Sequence, residues 1–251
     1  MKKNVLTSIA LFAILFSAQA SGTNKIADNP INPIKFRVGL VGGFGPTAIL
    51  NQNALQEDLF GTSQNYQFST GYRVGILGGV FFTDKVGIEL DVLYGTVTQK
   101  YEIDFGGGLK ADTRTDISSL DIPLLLKLGS RMYFEVGPQF SFITASDFES
   151  KVPLLGTNTM DVKDEFEGFY ASAVMGFGGN ISVVDKVQIN IGLRVGYGLT
   201  DIKGVDGQGN DLSKDALYTD KSSDPDNSSY ESYKSTRPAF AMIKLGVAYK
   251  L

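Results

Sequence analysis

The sequence contains no cysteine, no histidine and no tryptophan. Without cysteine there is no disulfide framework, no thiolate nucleophile and no thiolate-ligated metal. Without histidine the commonest general base and the usual zinc ligand are both missing. Ser-His-Asp catalysis is excluded. Chemistry that needs only carboxylates, Lys or Tyr survives, so an enzyme is disfavoured, and no catalytic residue, metal site or cofactor is assigned. Beyond residue 21 there is also no apolar run approaching the ~20 residues of a spanning helix. What is abundant is glycine (29 of 251 residues), phenylalanine (17) and tyrosine (11).

The first twenty residues predict the compartment. Lys2 and Lys3 form a basic start, Val5 to Ala18 is mostly apolar, and Ala18-Gln19-Ala20 is a small-x-small cleavage site before Ser21. That pattern is a secretory signal peptide, residues 1–20, since the apolar stretch is short for an anchor. No cysteine follows, so a lipoprotein is excluded. Without Lys2 and Lys3 the chain keeps 21 basic and 27 acidic residues, a net charge of −6, which does not suggest nucleic acid. Residues 21–34 are a polar periplasmic lead-in, and residues 35–251 form one domain.

In that domain apolar residues recur with period two, a strand signal. Eight strands are predicted: 35–44, 69–82, 86–103, 113–128, 131–144, 168–181, 186–200 and 237–251. In the third, Val86, Ile88, Leu90, Val92 and Tyr94 share a face opposite Gly87, Glu89, Asp91 and Gly95. The connections alternate between tight turns (83–85, 129–130, 182–185) and long loops (45–68, 104–112, 145–167, 201–236). Short turns at one end and long loops at the other predict an all-β, eight-stranded antiparallel up-and-down transmembrane β-barrel with short periplasmic turns and long extracellular loops. An even strand count puts both ends of the domain on the short-turn side.

A soluble barrel has the same period with its apolar face inward, so the polar face must decide. That face carries thirteen glycines, among them Gly79, Gly87, Gly95, Gly176, Gly178 and Gly196. Glycine weakens a water-facing strand but makes room for large neighbours inside a narrow barrel. The predicted neighbours are Arg37, Arg73, Lys127, Arg194 and Lys244 facing Glu89, Asp91, Asp121 and Glu135, a set that nearly cancels, as buried charge must. The apolar face places Phe44, Tyr72, Tyr94, Phe142, Phe169 and Tyr197 near the long loops, and Phe36, Phe82, Phe134 and Tyr249 toward the other end. Two aromatic bands around an aliphatic belt are expected where lipid meets water.

Ser119-Leu-Asp-Ile-Pro-Leu-Leu-Leu-Lys127, a two-residue turn, then Tyr133-Phe-Glu-Val-Gly-Pro138, with the earlier Gly87-Ile-Glu-Leu-x-x-x-Tyr94, resembles the PorT-type outer-membrane β-barrel family over about residues 35–251. The Asp-x-Pro step inside a strand is the most specific part. The resemblance implies an eight-stranded barrel in the outer membrane of a diderm bacterium, reached after secretory export. The family's namesake is associated with protein secretion, whereas most members look like small barrels of unassigned role. Many such barrels end in Phe; this chain ends Tyr249-Lys250-Leu251 with its alternation intact.

Eight strands enclose an interior that side chains can fill, so the lumen charges are expected to be a plug of salt bridges rather than an ion path. Residues 45–68, 145–167 and 201–236 carry net charges of −2, −4 and −4, leaving the rest of the mature chain at +4. Acidic loops could hold bridging divalent cations, but no EF-hand spacing is present and a solvated surface is the expectation. Asp220 to Ser229 reads as disordered, and Tyr218, Tyr230 and Tyr233 as scattered loop aromatics. The expected role is structural or surface interaction, as a monomer whose partners are outer-membrane lipids and, during biogenesis, the barrel assembly machinery. A secretion-system subunit and a small pore are the alternatives.

Overall fold

The computed structural model describes residues 34–51, 63–104, 110–152, 156–212 and 234–251. The expected signal peptide, the lead-in up to residue 33, the 220–229 segment, Tyr218, Tyr230 and Tyr233 lie outside the described residues. The described elements are β1 (Lys35–Leu50), β2 (Ser63–Gln67), β3 (Thr70–Phe81), β4 (Val86–Asp104), β5 (Lys110–Gly129), β6 (Met132–Val152), β7 (Gly156–Asp161), a 3-10 turn (Lys163–Glu165), β8 (Phe169–Val184), β9 (Val187–Gly198) and β10 (Arg237–Lys250).

Eight of these strands close a ring. β1 pairs with β3, β3 with β4, β4 with β5, β5 with β6, β6 with β8, β8 with β9, β9 with β10 and β10 again with β1, each pair antiparallel. Closure removes the sheet edges that an open antiparallel sheet would leave unpaired. β2 and β7 stand outside the ring, adding only to the far ends of β4 and β6. The tight links lie at one end, where Gly129 adopts φ 113° in the β5–β6 turn, a conformation that favours glycine.

The faces of the ring settle the choice between lipid and water. Leu40, Val74, Ile76, Leu90, Leu126, Val136, Phe177, Leu193, Leu245 and Val247 are exposed, whereas Arg37, Glu89, Asp91, Asp121, Lys127, Glu135, Arg194 and Lys244 are buried. That is the inside-out arrangement of a transmembrane barrel.

The strands run further than the sequence predicts. β1 continues to Leu50 rather than ending at Phe44, β5 starts at Lys110, and β6 reaches Val152 and then turns back as β7. Much of the expected 45–68, 104–112 and 145–167 loops is therefore sheet. The two faces also exchange character along the wall. In β4 the outward residues pass from Val86, Ile88, Leu90, Val92 and Tyr94 to Thr96, Lys100, Glu102 and Asp104, while the inward ones pass from Glu89 and Asp91 to Leu93, Val97, Tyr101 and Ile103. Beyond Tyr94 the wall has the apolar-in, polar-out pattern of a soluble barrel, which is what water rather than lipid requires. In β6 the change needs an adjustment of register. Ser118 faces Ala145 whereas Ser119 faces Ile143, so Thr144 is an extra residue, and its hydroxyl donates to the Ser118 carbonyl at 3.1 Å. Such a bulge exchanges the two faces beyond it.

Candidate functional site

The interior at mid-barrel is charged. Arg37, Lys127, Arg194 and Lys244 converge on Glu89, Asp91 and Glu135. Arg194 lies at the centre: its Nε donates to Glu135 Oε1 at 2.7 Å and its Nη1 to Asp91 Oδ2 at 2.8 Å. Lys244 Nζ donates to Glu135 Oε2 at 2.8 Å and to Glu89 Oε1 at 3.2 Å. Lys127 Nζ reaches both oxygens of Glu89 at 3.2 Å, and Arg37 Nη2 also pairs with Glu89. Glu89 is thus shared by all four cations, Arg194 Nη2 being the most distant at 4.0 Å. Arg73 and Asp121 form a separate pair, Nε to Oδ2 at 2.7 Å, with the Ser119 hydroxyl donating to the other carboxylate oxygen at 2.8 Å. Side-chain exposure throughout this network is 5% or less. At that depth every charge needs a partner, because an unpaired one costs several kcal/mol, about the stability of a small domain.

Aromatic side chains complete the packing. The Arg37 guanidinium lies 4.2 Å from the Phe81 ring centroid, Arg73 lies 3.7 Å from Phe240, and Lys127 and Lys244 lie 3.9 and 5.5 Å from Tyr133. A cation over a ring face gains about 0.5–2 kcal/mol, more when desolvated. The sequence alone does not assign these three rings. The glycines opposite them are the signal that could have found them: a Cβ on Gly87 would lie 2.5 Å from Phe81 Cδ1, and one on Gly178 2.6 Å from the Tyr133 hydroxyl.

Toward the extracellular end the interior becomes apolar. Ile49, Val97, Ile117, Phe148, Phe166 and Ile202 belong to one buried cluster. Residues 201–212, expected in a solvated loop, are drawn onto this cluster. The Thr113 hydroxyl donates to the Gly207 carbonyl at 2.7 Å, Leu212 N–H donates to Gly204 O at 3.0 Å, and Glu167 N–H donates to Ile202 O at 3.0 Å. Lys203, with φ 53°, pairs with Glu167, which raises its pKa above the ordinary lysine value. Among the described residues no three Asp or Glu side chains gather in an arrangement able to hold a metal ion.

On the outer surface Phe36, Phe44, Tyr72, Phe82, Tyr94, Phe142, Phe169, Tyr197 and Tyr249 are exposed, and Phe134 is half-buried. Register joins the upper band: Phe44 faces Tyr72, Tyr94 faces Leu120, Leu120 faces Phe142, and Phe142 faces Phe169 with ring centroids 5.3 Å apart. Phe82 lies just past the end of β3, in the turn.

No curated protein matches the sequence at a significant level. Among solved structures, Neisserial surface protein A is 11% identical with a TM-score of 0.39, covering 88% of this chain and 100% of its own. The outer membrane protein OprG from Pseudomonas aeruginosa is 16% identical with a TM-score of 0.39, covering 87% and 95%. The outer membrane protease OmpT from Escherichia coli is 10% identical with a TM-score of 0.41, covering 92% and 99%. The family described as outer membrane protein beta-barrel domain matches residues 17–204. That stretch is well over half of the chain, and it runs from before β1 through β9. The closed ring of eight antiparallel strands, apolar outside and charged within, is what such a domain requires of its residues, and this chain belongs to the outer membrane protein β-barrel domain family, with its place in the outer membrane.

Proposed function

We propose that this barrel is a closed structural or surface-interaction protein of the outer membrane, with its activity at the extracellular face and no transport through its centre. The observation that carries this reading is the double filling of the interior. Seven interlocked charges occupy mid-barrel, and an apolar cluster crossed by residues 201–212 lies above them. A hydrated solute would have to part both layers, breaking buried ion pairs that are worth about 3–5 kcal/mol when one partner is lost. The reading is non-enzymatic. The chain has no His or Cys, and its four mid-barrel carboxylates, Glu89, Asp91, Asp121 and Glu135, are each held by a Lys or Arg. Export by a leader at residues 1–20 belongs to the same proposal, and N-terminal sequencing of the membrane form should start at Ser21.

Planar-bilayer recording tests the closed interior. The purified protein is expected to give no stable large unit conductance, and a steady, large, reproducible step would overturn the proposal. The finer kinship with PorT-type barrels rests on Ser119–Lys127 and Tyr133–Pro138, which form one hairpin with Asp121, Lys127 and Glu135 turned inward. Crosslinking and pull-down from intact cells tests the role that this kinship implies: recovery with a secretion machine would make the chain a subunit of that machine rather than a solitary barrel.

A further inference from the structure

We propose that the periplasmic mouth of the barrel is a binding site for a small phosphate-type anion, with Arg37 at its floor and Arg131 and Lys250 at its rim. A cavity of about 930 Å³ opens at the short-turn end and is lined by these three residues together with Gln188, Asn180 and Phe81. Its size is that of a small-molecule site, which spans roughly 300–1,000 Å³. Its electrostatics are one-sided. The only carboxylate on the lining is Asp84, and Lys35 already pairs with it, holding its pKa below the ordinary value. Among the described residues Arg131 and Lys250 form no ion pair; the Lys250 ammonium reaches only the Ser182 hydroxyl, at 3.3 Å.

The floor is under-neutralised as well. Four cations of the mid-barrel cluster meet three carboxylates, and the separate Arg73–Asp121 pair is already balanced. The cluster thus carries a formal excess of one positive charge. Arg37, at the periplasmic margin of the cluster, is where it emerges. Its one carboxylate partner, Glu89, also serves the three other cations, its Nη1 is 3.5 Å from Gln188 Oε1, and its Nε has no hydrogen-bond partner although the side chain is only 5% exposed. A buried guanidinium with a spare donor beside an open cationic cavity is suited to an oxyanion. Guanidinium donors match phosphate geometry, and the cavity walls screen the field less than bulk water does. The phosphate could belong to a soluble compound of the periplasm or to a phospholipid headgroup of the inner leaflet.

The test uses the folded protein in a sugar-headed, phosphate-free detergent, with the arginine Nε–H signals followed by NMR. Inorganic phosphate, pyrophosphate and, separately, phosphatidylglycerol at low mole fraction are the probes. The expected result is a saturable shift of the Arg37 Nε–H signal. Replacing both rim cations, Arg131→Ala with Lys250→Ala, should weaken that binding about tenfold or more, while the circular dichroism of the barrel stays unchanged. Saturation by phosphate or pyrophosphate identifies a soluble ligand, and saturation by the lipid alone identifies a headgroup; either supports the site. No saturable shift with any of the three, or binding unaltered in the double variant, overturns it.

Discussion

Phe148 packs inside the barrel because Thr144, four residues before it, is an extra residue in the pairing of β6 with β5. Were Thr144 paired as a regular ladder residue, Phe148 would face water, and Asp147 and Glu149 would face the apolar cluster. Deleting Thr144 leaves Ala145 opposite Ser118 and Phe148 on the inner face, so it should cost less than the roughly 3–5 kcal/mol expected of Phe148→Ala. Equilibrium unfolding in urea of the two variants against the parent decides the order.

The charge network should respond differently to halving a pair and to removing it. Asp121→Leu alone strands the Arg73 guanidinium and should destabilise by about 3–5 kcal/mol, whereas Arg73→Met with Asp121→Leu should be near neutral or stabilising. The comparison is read from unfolding free energies. A double variant as unstable as the single one would mean that the pair stabilises the fold beyond mutual neutralisation.

Gly87 and Phe81 form a size-matched couple across the periplasmic end. The three nearest atoms to a Cβ on Gly87 all belong to the Phe81 ring, at 2.5, 2.7 and 2.8 Å. Gly87→Ala is expected to cost about 1–3 kcal/mol, and most of that should vanish in a Phe81→Ala background. A double-mutant cycle measures the coupling.

Above Tyr94 the wall meets water and below it lipid. Leu90→Arg, on the apolar belt, should destabilise the barrel in bilayers by about 2–4 kcal/mol, while Thr96→Arg should cost about 0–1 kcal/mol. Unfolding from lipid vesicles gives both values, and equal costs would move the boundary.

The barrel itself was legible because lipid imposes a period of two with unusual content. Leu90 and Leu124 alternate with Glu89 and Leu125 in strands whose inward positions also carry glycine and charge, which no soluble strand surface explains. The upper end of β6 was not legible for the same reason: past Phe142 the outward residues become polar, so Asp147 and Glu149 look like loop composition. In β6 the bulge at Thr144 also breaks the alternation where the prediction ended the strand. The nine charged lumen residues could be read from their face alone. Their partners could not, because which Lys meets which Glu depends on barrel stagger, and that is set by closure between β1 and β10 rather than by any local pattern. Phe81, Tyr133 and Phe240 were hidden differently, as aromatic residues on a face where charge was the expected occupant.

The inversion at Tyr94 fixes how deep the molecule sits. From Val86 to Tyr94 the outward apolar stretch of β4 is nine residues, close to the ~9–11 that a tilted strand uses to cross a bilayer. Sliding outward would expose that belt to water, and sliding inward would draw Lys100, Glu102 and Asp116 into hydrocarbon. The barrel therefore acts as a thickness gauge: a thicker membrane must thin around it, and a population of these barrels would gather where the bilayer already matches their belt.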